Sequence, residues 1–463
     1  MSSIFSCLTS SASTLAAFQQ ALTVVQNNVS NVDTPGYAAL NQTFEALPFD
    51  PATGETGGVT AGEVTSARDE YAEDAVRQQQ SLYGRSNEMA TDFGQIEPLF
   101  SVTGDAGIPG AINQFFSAVS AWSTNPNDAT SRQTVLDQAG TMADSFNQAA
   151  DGLNQASGAI QQQIGATVDQ INQLAGQIAS LNQLQQQTSG GTNSSAADTQ
   201  LHATLEQLSS LANITVLPQQ DGSYTVLLGG QIPLVVGSQQ FQIQMDTSDA
   251  SEVRIDSPQS GITQDPTSLI QGGSLSGLLT MRNQTIPSLM GNLNSLAQAT
   301  ADQVNGILAQ GVDSTGAPGA PLFQYNAPDA SDAAATLSVT AITGSQLAGA
   351  LPSAPGGNDN IIDLAALANQ PIADLGNSSL TDYYAQTATQ LGQQSSQATA
   401  DQQSQQQTLV QAQTLRSNVS GVSLDEEAAN LIQFQTAYQA VSEMVTVLNE
   451  VSQSTIDMMQ GTT

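Results

Sequence analysis

Four carboxylates, Asp221, Asp246, Asp249 and Glu252, fall between Ile214 and Ile255. Two carboxyl groups lining one pocket, with the pKa of one raised, would equip a chain for hydrolysis. Asp221, however, belongs to an expected hairpin turn, and the other three cluster in one polar loop. A secreted, carboxylate-based hydrolase is therefore the weaker alternative. Asp425, Glu426 and Glu427 suggest a cation site, yet Ser423-Leu424-Asp425-Glu426 is a capping box whose acids complement a helix N-terminus. Asp69, Glu70, Glu73 and Asp74 adjoin Arg68 and Arg77 and read as solvated or ion-paired. Gly104, Gly107 and Gly110 lack the preceding strand and the spacing of a phosphate loop. Residues 50–63 are acidic and glycine-rich but lack the alternating ligands of an EF-hand. His202, the single histidine, reads as an exposed polar residue, and Cys7, the single cysteine, as a small packing residue beside Leu8. No catalytic residue, cofactor or metal ligand is expected.

Composition narrows the classes further. Across 463 residues, seven basic side chains stand against 41 acidic ones, a net charge of −34. All seven are arginine. Such a chain repels a phosphate backbone and an anionic membrane surface. One cysteine excludes an internal disulfide and multi-cysteine metal sites. No apolar run reaches membrane-spanning length, and residues 1–18 lack the basic start of a cleaved signal peptide.

The elements that must carry the function lie at the two ends. Ile4, Leu8, Leu15, Phe18, Leu22, Val25, Val29 and Val32 recur in steps of four and three with Ser11 among them, a heptad seam. The helix should stop near Val32, because Asp33-Thr34-Pro35-Gly36-Tyr37 reads as a type II turn. At the other end Leu424, Leu431, Tyr438 and Val445 repeat every seven, and Phe434, Val441 and Leu448 form a second row. The two terminal helices are expected to pair.

Between them the chain is mainly helical. Stripes occur at Ile112–Trp122, Ile164–Leu181, Leu201–Leu211, Ile286–Val304 and, more sparsely, Tyr384–Leu415. Alternation at Ile214–Leu217, Tyr224–Leu228, Ile232–Val236, Phe241–Met245 and Val253–Ile255 predicts a small β insertion. The expected architecture is mainly α, with terminal helices paired as a coiled coil, a long-helix bundle and a compact antiparallel β outer domain. Residues 1–40 and 423–463 would form the coiled-coil assembly domain. Residues 41–212, 268–312 and 373–422 would form the bundle, 213–267 the β domain, and 313–372 an irregular Pro/Gly/Ala-rich segment of the bundle.

Asn27-Asn28-Val29-Ser30-Asn31, running into Thr34-Pro35-Gly36-Tyr37, resembles the N-terminal signature of flagellar rod, hook and hook-associated axial proteins. Val422 to Glu427, continuing to Gln435-Thr436-Ala437-Tyr438, resembles the matching C-terminal end. Ser131–Leu136, Gly273–Arg282, Ala301–Asn305, Asn358–Asn360 and Asp382–Tyr384 are similar to the hook–filament junction members. Two features depart from the family: Ala38-Ala39-Leu40 after the turn, and the near absence of basic residues. The resemblance implies a non-catalytic structural protein of the bacterial flagellum, located extracellularly at the hook–filament junction. It implies export without a cleaved signal peptide and a ring of identical subunits. Assembly would use both terminal helices. The implied partners are hook protein, hook-associated protein 3 and, before secretion, an export chaperone on Ser423, Leu424, Glu426, Leu431, Phe434, Tyr438, Val441, Val445 and Leu448. Another axial protein, such as hook-associated protein 3 or a distal rod or hook protein, is the same-class alternative.

Overall fold

The computed structural model describes residues 2–34, 36–50, 55–100, 107–187, 192–259, 265–326 and 330–460. Helix α1 (Ser2–Ser30) is followed by an antiparallel hairpin. Its strands β1 (Leu40–Ala46) and β4 (Val59–Ser66) pair from Leu40 opposite Ser66 to Ala46 opposite Val59, with a bulge between Gln42 and Phe44. Short strands β2 (Phe49–Asp50) and β3 (Glu55–Thr56) extend it. Sequence placed this segment with the bundle. It lies instead along α1, where Val59 N donates to the Thr14 hydroxyl at 3.2 Å.

The bundle begins at α2 (Glu70–Ile96), whose first turn is capped by the Asp69 carboxylate accepting from Ala72 N at 2.8 Å. Then come α3 (Gly107–Thr124), α4 (Ala129–Gln187) and α5 (Thr192–Leu211). At 59 residues, α4 extends about 90 Å. Strands β5 (Ile214–Pro218), β6 (Tyr224–Leu228), β7 (Ile232–Val236) and β8 (Gln239–Gln240) form one sheet in that order. A ribbon of β9 (Gln244–Asp246) and β10 (Arg254–Asp256) follows. Helix α6 (Gly273–Thr280) passes through a π-helical turn, Met281–Thr285, into α7 (Ile286–Gln310). Pro287 has no N–H to offer the preceding turn, and the register slips there. A small ribbon of β11 (Phe323–Gln324) and β12 (Ser338–Val339) flanks α8 (Ala333–Thr336). Helix α9 (Asp359–Ala366) leads to α10 (Leu380–Ser420) and α11 (Leu424–Gln460).

One continuous apolar core joins α2 through α10 and takes in the inner face of the sheet through Val226, Leu228, Ile232 and Leu234. Trp122, Phe115, Phe146 and Phe323 are its largest fully buried side chains. Among the described residues, none of α1, α11 or the hairpin belongs to it. The terminal unit has its own packing.

Asparagine side chains tie the β elements to the helices. Asn182 on α4 donates to the Tyr224 carbonyl (2.8 Å) and accepts from the Tyr224 N–H (3.0 Å). Asn283 treats Val253 the same way at 2.8 and 2.9 Å, and Asn305 treats Phe323 so at 2.8 and 3.0 Å. Asn172 clips both backbone groups of Ile243 at 2.8 and 3.0 Å. That clip corrects one expectation. The alternation over Phe241–Met245 predicts a single strand, but Asn172 takes the ladder bonds of its central residue, leaving β8 and β9 apart.

Asp92 on α2 is buried, and its Oδ2 has no hydrogen-bond partner. Burial, with the Glu88 carboxylate second, raises its pKa from 3.8 to about 7. Between those values the folded chain holds a proton that the unfolded chain has lost, so stability falls as pH rises through the window. The full cost, reached above pH 7, is at most about 4 kcal/mol. Asp92→Asn should flatten this part of the melting-temperature profile between pH 4 and 8. An unchanged slope would remove Asp92 as its source.

Candidate functional site

Helices α1 and α11 run antiparallel. Ser11 lies 3.7 Å from the Met444 sulfur, the Phe18 and Phe434 rings are 6.4 Å apart, and Asn28 reaches Glu427 at 2.7 Å. Phe44 of the hairpin completes an aromatic cluster, 5.6 Å from Phe18 and 5.7 Å from Phe434. Of the N-terminal seam, Val25 is buried and Ile4, Leu8, Leu15, Phe18 and Leu22 are half-buried. Val29 is 43% exposed, and Val32, beyond the helix end, is also exposed. The most buried line is Ser11, Thr14, Ala17, Ala21, Val24 and Asn28. It runs between two contact faces, one toward α11 and one toward the hairpin. On α11, Phe434, Tyr438, Val441, Val445 and Leu448 are half-buried, whereas Ser423, Leu424, Glu426 and Leu431 are exposed.

Helix α11 has a second apolar line that the heptad reading passed over. Ala440, Met444, Val447 and Val451 follow one another at four, three and four residues along the flank of the α1 contact. The Met444 sulfur touches Ser11 at the edge of that contact, but most of the line stays open. Met444 is 55%, Val447 50% and Val451 48% exposed. Burying such side chains is worth about 1.5–3 kcal/mol each. A helix apolar on two sides is built to be covered twice.

Asn28 holds the near end of the pair together. It is 1% exposed and uses its full amide capacity. Its Nδ2 donates to the Leu40 carbonyl (2.9 Å) and to Glu427 Oε1 (2.7 Å). Its Oδ1 accepts from Leu40 N and from the Tyr37 hydroxyl, each at 2.9 Å. Burial pushes the Glu427 carboxyl up, and burial beside Glu427 pushes Tyr37 to about 12. Ala39 N donates to the Ser420 carbonyl at 2.8 Å, so the end of α10 joins the same knot. Of the other signature asparagines, Asn31 donates to the Asn27 carbonyl at 2.9 Å and accepts from the Thr34 hydroxyl at 3.2 Å. Tyr37 N donates to the Thr34 carbonyl at 3.1 Å, and Gly36 sits at φ +76°, the left-handed geometry a type II turn needs. Pro35 lies outside the described residues.

Three of the chain's seven arginines meet where this knot joins the bundle. Arg68 donates to the Gly36 carbonyl (2.9 Å), to Asp198 (3.0 Å) and to Glu73. Arg416 of α10 bridges Glu73 (3.2 Å) and Glu206 of α5 (2.8 Å). Arg77 pairs with Asp74 and approaches Glu70, whose carboxylate accepts from the Tyr224 hydroxyl at 3.0 Å. His202 does not sit on the surface as expected. It is 2% exposed, 3.5 Å from Asp198. Burial, then Arg68, Arg77 and Arg416, lower its pKa to about 2, so it stays neutral. It packs inward on the face that also buries Leu201 and Leu205, with its ring edge-on to Tyr224 at 5.5 Å.

Glu426, named from sequence, is exposed; the capping group is the Ser423 hydroxyl, which accepts from the Glu426 N–H at 3.4 Å. The buried acid is its neighbour Glu427, 6% exposed. Only its partner Asn28, 399 residues away, reveals that role. The hydrolase carboxylates are not arranged for acid catalysis. Hydrogen bonds from Ser223, Ser248 and Ser251 hold Asp221, Asp246 and Asp249 below the usual range, the opposite of a general acid. Among the described residues no cluster of three His, Cys, Asp or Glu could hold a metal, and no helix is long and apolar enough to cross a membrane.

Comparison with known proteins gives one consistent answer. The family model for the flagellar hook-associated protein FlgK helical domain matches residues 93–323. Those for the flagella basal body rod protein and the flagellar basal body rod FlgEFG protein C-terminal match 8–37 and 415–458. Flagellar hook-associated protein 1 of Bacillus subtilis (strain 168) is 26% identical over a 508-residue alignment covering 99% of each chain. The Salmonella typhimurium protein of that name is 26% identical over 342 residues, 71% of this chain and 61% of the other. The solved flagellar hook junction protein FlgK from Burkholderia pseudomallei superposes with a TM-score of 0.66 at 21% identity. That match spans 74% of this chain and 100% of the other, and it shows the fold.

Proposed function

The chain belongs to the flagellar hook-associated protein 1 family, structural proteins of the flagellar hook–filament junction, and from that premise we propose that α1 and α11 form its assembly surface. The observation that carries this is the second apolar line of α11, exposed although the helix already packs on α1. Residues 1–40 and 423–463, with the hairpin on α1, act as the assembly domain, and the bundle and sheet face outward. Hook protein and hook-associated protein 3 are the expected neighbours, and copies of this chain complete a ring. An export chaperone covering the same exposed line of α11 would keep it from associating before secretion. No step in this role calls for catalysis.

Met444→Glu combined with Val447→Glu should leave the monomer folded, since both positions are largely open to solvent, and should abolish self-association. Wild-type levels of assembly by sedimentation would reject this surface. With a net charge of −34, assembly should strengthen as salt screens the outer faces. Weaker assembly at higher salt would contradict that expectation.

A further inference from the structure

We propose that a cleft in the helical bundle binds an extended, uncharged segment of a second protein, holding its backbone with glutamine side chains. The cleft has a volume of about 910 Å³ and is lined by α2, α10 and the junction of α6 with α7. It continues past Gln390, Gln394 and Thr285 into a recess of about 230 Å³ beside Leu289 and Asn292. Among the described residues, none of α1, α11 or the hairpin lines either space, so the cleft stands apart from the assembly surface.

The π-helical turn shapes one wall. In a regular α-helix Thr280 and Thr285 would point about 140° apart, since five residues overshoot one turn. Here the Ile286 N–H donates to the Met281 carbonyl, five residues back. That longer turn brings residues five apart to one side, and both threonines line the cleft. The α10 wall is made of carboxamides. Gln390, Gln393, Gln394 and Gln397 are exposed there, and among the described residues none bonds the side chain of Gln390, Gln393 or Gln394. On α2, Leu82 is 38% exposed and Met89 half-buried, which gives the cleft an apolar footing. A thioether there adapts to side chains of different shape.

Each feature selects the same ligand. A carboxamide both donates and accepts, the complement of a peptide unit, which does the same. The fold already uses that pairing internally, where Asn172, Asn182, Asn283 and Asn305 each hold both backbone groups of one residue. Of the described lining residues only Arg85 and Asp401 ionise, and their charges are opposite, so a charged segment would meet no net attraction. A glycan would lack a stacking platform, because Phe93, the single aromatic ring in the lining, is 3% exposed. From Gln390 to Gln405, α10 runs about 22 Å, a distance spanned by about six or seven extended residues. Alternate apolar side chains of such a segment would rest on Met89 and Leu82. The backbone would supply affinity and the alternation specificity.

Calorimetric titration of the full chain with acetylated, amidated peptides of about seven residues tests this. The panel alternates leucine, isoleucine, valine or methionine with threonine, serine or glutamine. At least one member should bind, and Gln390→Ala with Gln394→Ala should weaken it about tenfold. Both positions are exposed, and unchanged helical content verifies the fold. Gln403→Ala, exposed on α10 outside the cleft, should bind as wild type does. Methylating alternate backbone nitrogens of the bound peptide should abolish binding; full retention would overturn backbone recognition. Binding of maltohexaose and of no peptide would overturn the polypeptide ligand, and a panel in which nothing binds would overturn the site. The Met444→Glu, Val447→Glu chain should bind the peptide normally, whatever becomes of its assembly. Loss of binding in that chain would move the site to the terminal helices.

Discussion

Replacing Arg68 by alanine is expected to destabilise the folded chain by about 3–5 kcal/mol, the usual effect of removing one partner from a buried ion pair. The Arg68 side chain is 5% exposed and that of Glu73 3%, so Glu73 would be left with Arg416 alone. The Gly36 carbonyl and Asp198 would lose their guanidinium donor. Arg68→Lys should recover little. One ammonium cannot reproduce a planar fork that meets three acceptors in different directions. Denaturant unfolding measures the loss, and proteolysis within residues 31–69 should accelerate as the turn comes free of α2. A change under about 1 kcal/mol would show that the network is not what joins the terminal unit to the bundle. The same geometry accounts for arginine at position 416, which too must reach two carboxylates on separate helices.

Asn28→Ala should cost about 3 kcal/mol, since it strips partners from buried groups at Leu40 and Glu427 and each orphaned group costs about 1–3 kcal/mol. Asn28→Asp is the more informative change. It keeps the shape but sets a second carboxyl against Glu427, whose pKa burial already raises. The two acids would hold a proton in the folded state that the unfolded chain releases. Stability would therefore be retained at low pH and lost as pH rises through the folded values. Asn28→Asp should accordingly fall further below wild type at pH 8 than at pH 5, while Asn28→Ala, which removes a hydrogen bond that lowers the Glu427 pKa, shows the same trend more weakly. Parallel profiles for the two variants would sink the claim that Asn28 and Glu427 act as a pair.

The terminal helices were readable because a seven-residue period survives whatever tertiary partner covers it. The β insertion was readable because Tyr224–Leu228 and Ile232–Val236 alternate or run apolar between turn residues. The hairpin at 40–66 was not, because its strands are Gln-, Thr- and Glu-rich, a bulge breaks the alternation near Gln42, and only one face rests on α1. Burial within α1 was misjudged for a related reason. A seam shows which residues are apolar, whereas the small residues Ala17 and Ala21 are buried by two neighbours approaching from different sides. Least visible were Glu427, His202 and Arg416. The partners of Glu427 and Arg416 lie hundreds of residues away, and no spacing rule relates Arg416 to Glu73 or Asn28 to Glu427.

The length of α4 has a mechanical meaning for a protein set between two parts of a rotating machine. With no proline over 59 residues, it is one strut, stiff along its axis because stretching it would break hydrogen bonds in series. The asparagine clips fasten the sheet to that strut, so load on the outer face is carried by α4 and its core contacts. Compliance is left to the short, non-helical crossings at residues 67–69 and 421–423, which link the strut-bearing body to the terminal unit. Under torque the bundle should move as a rigid arm while those crossings act as its pivots, with the Arg68 network limiting their travel.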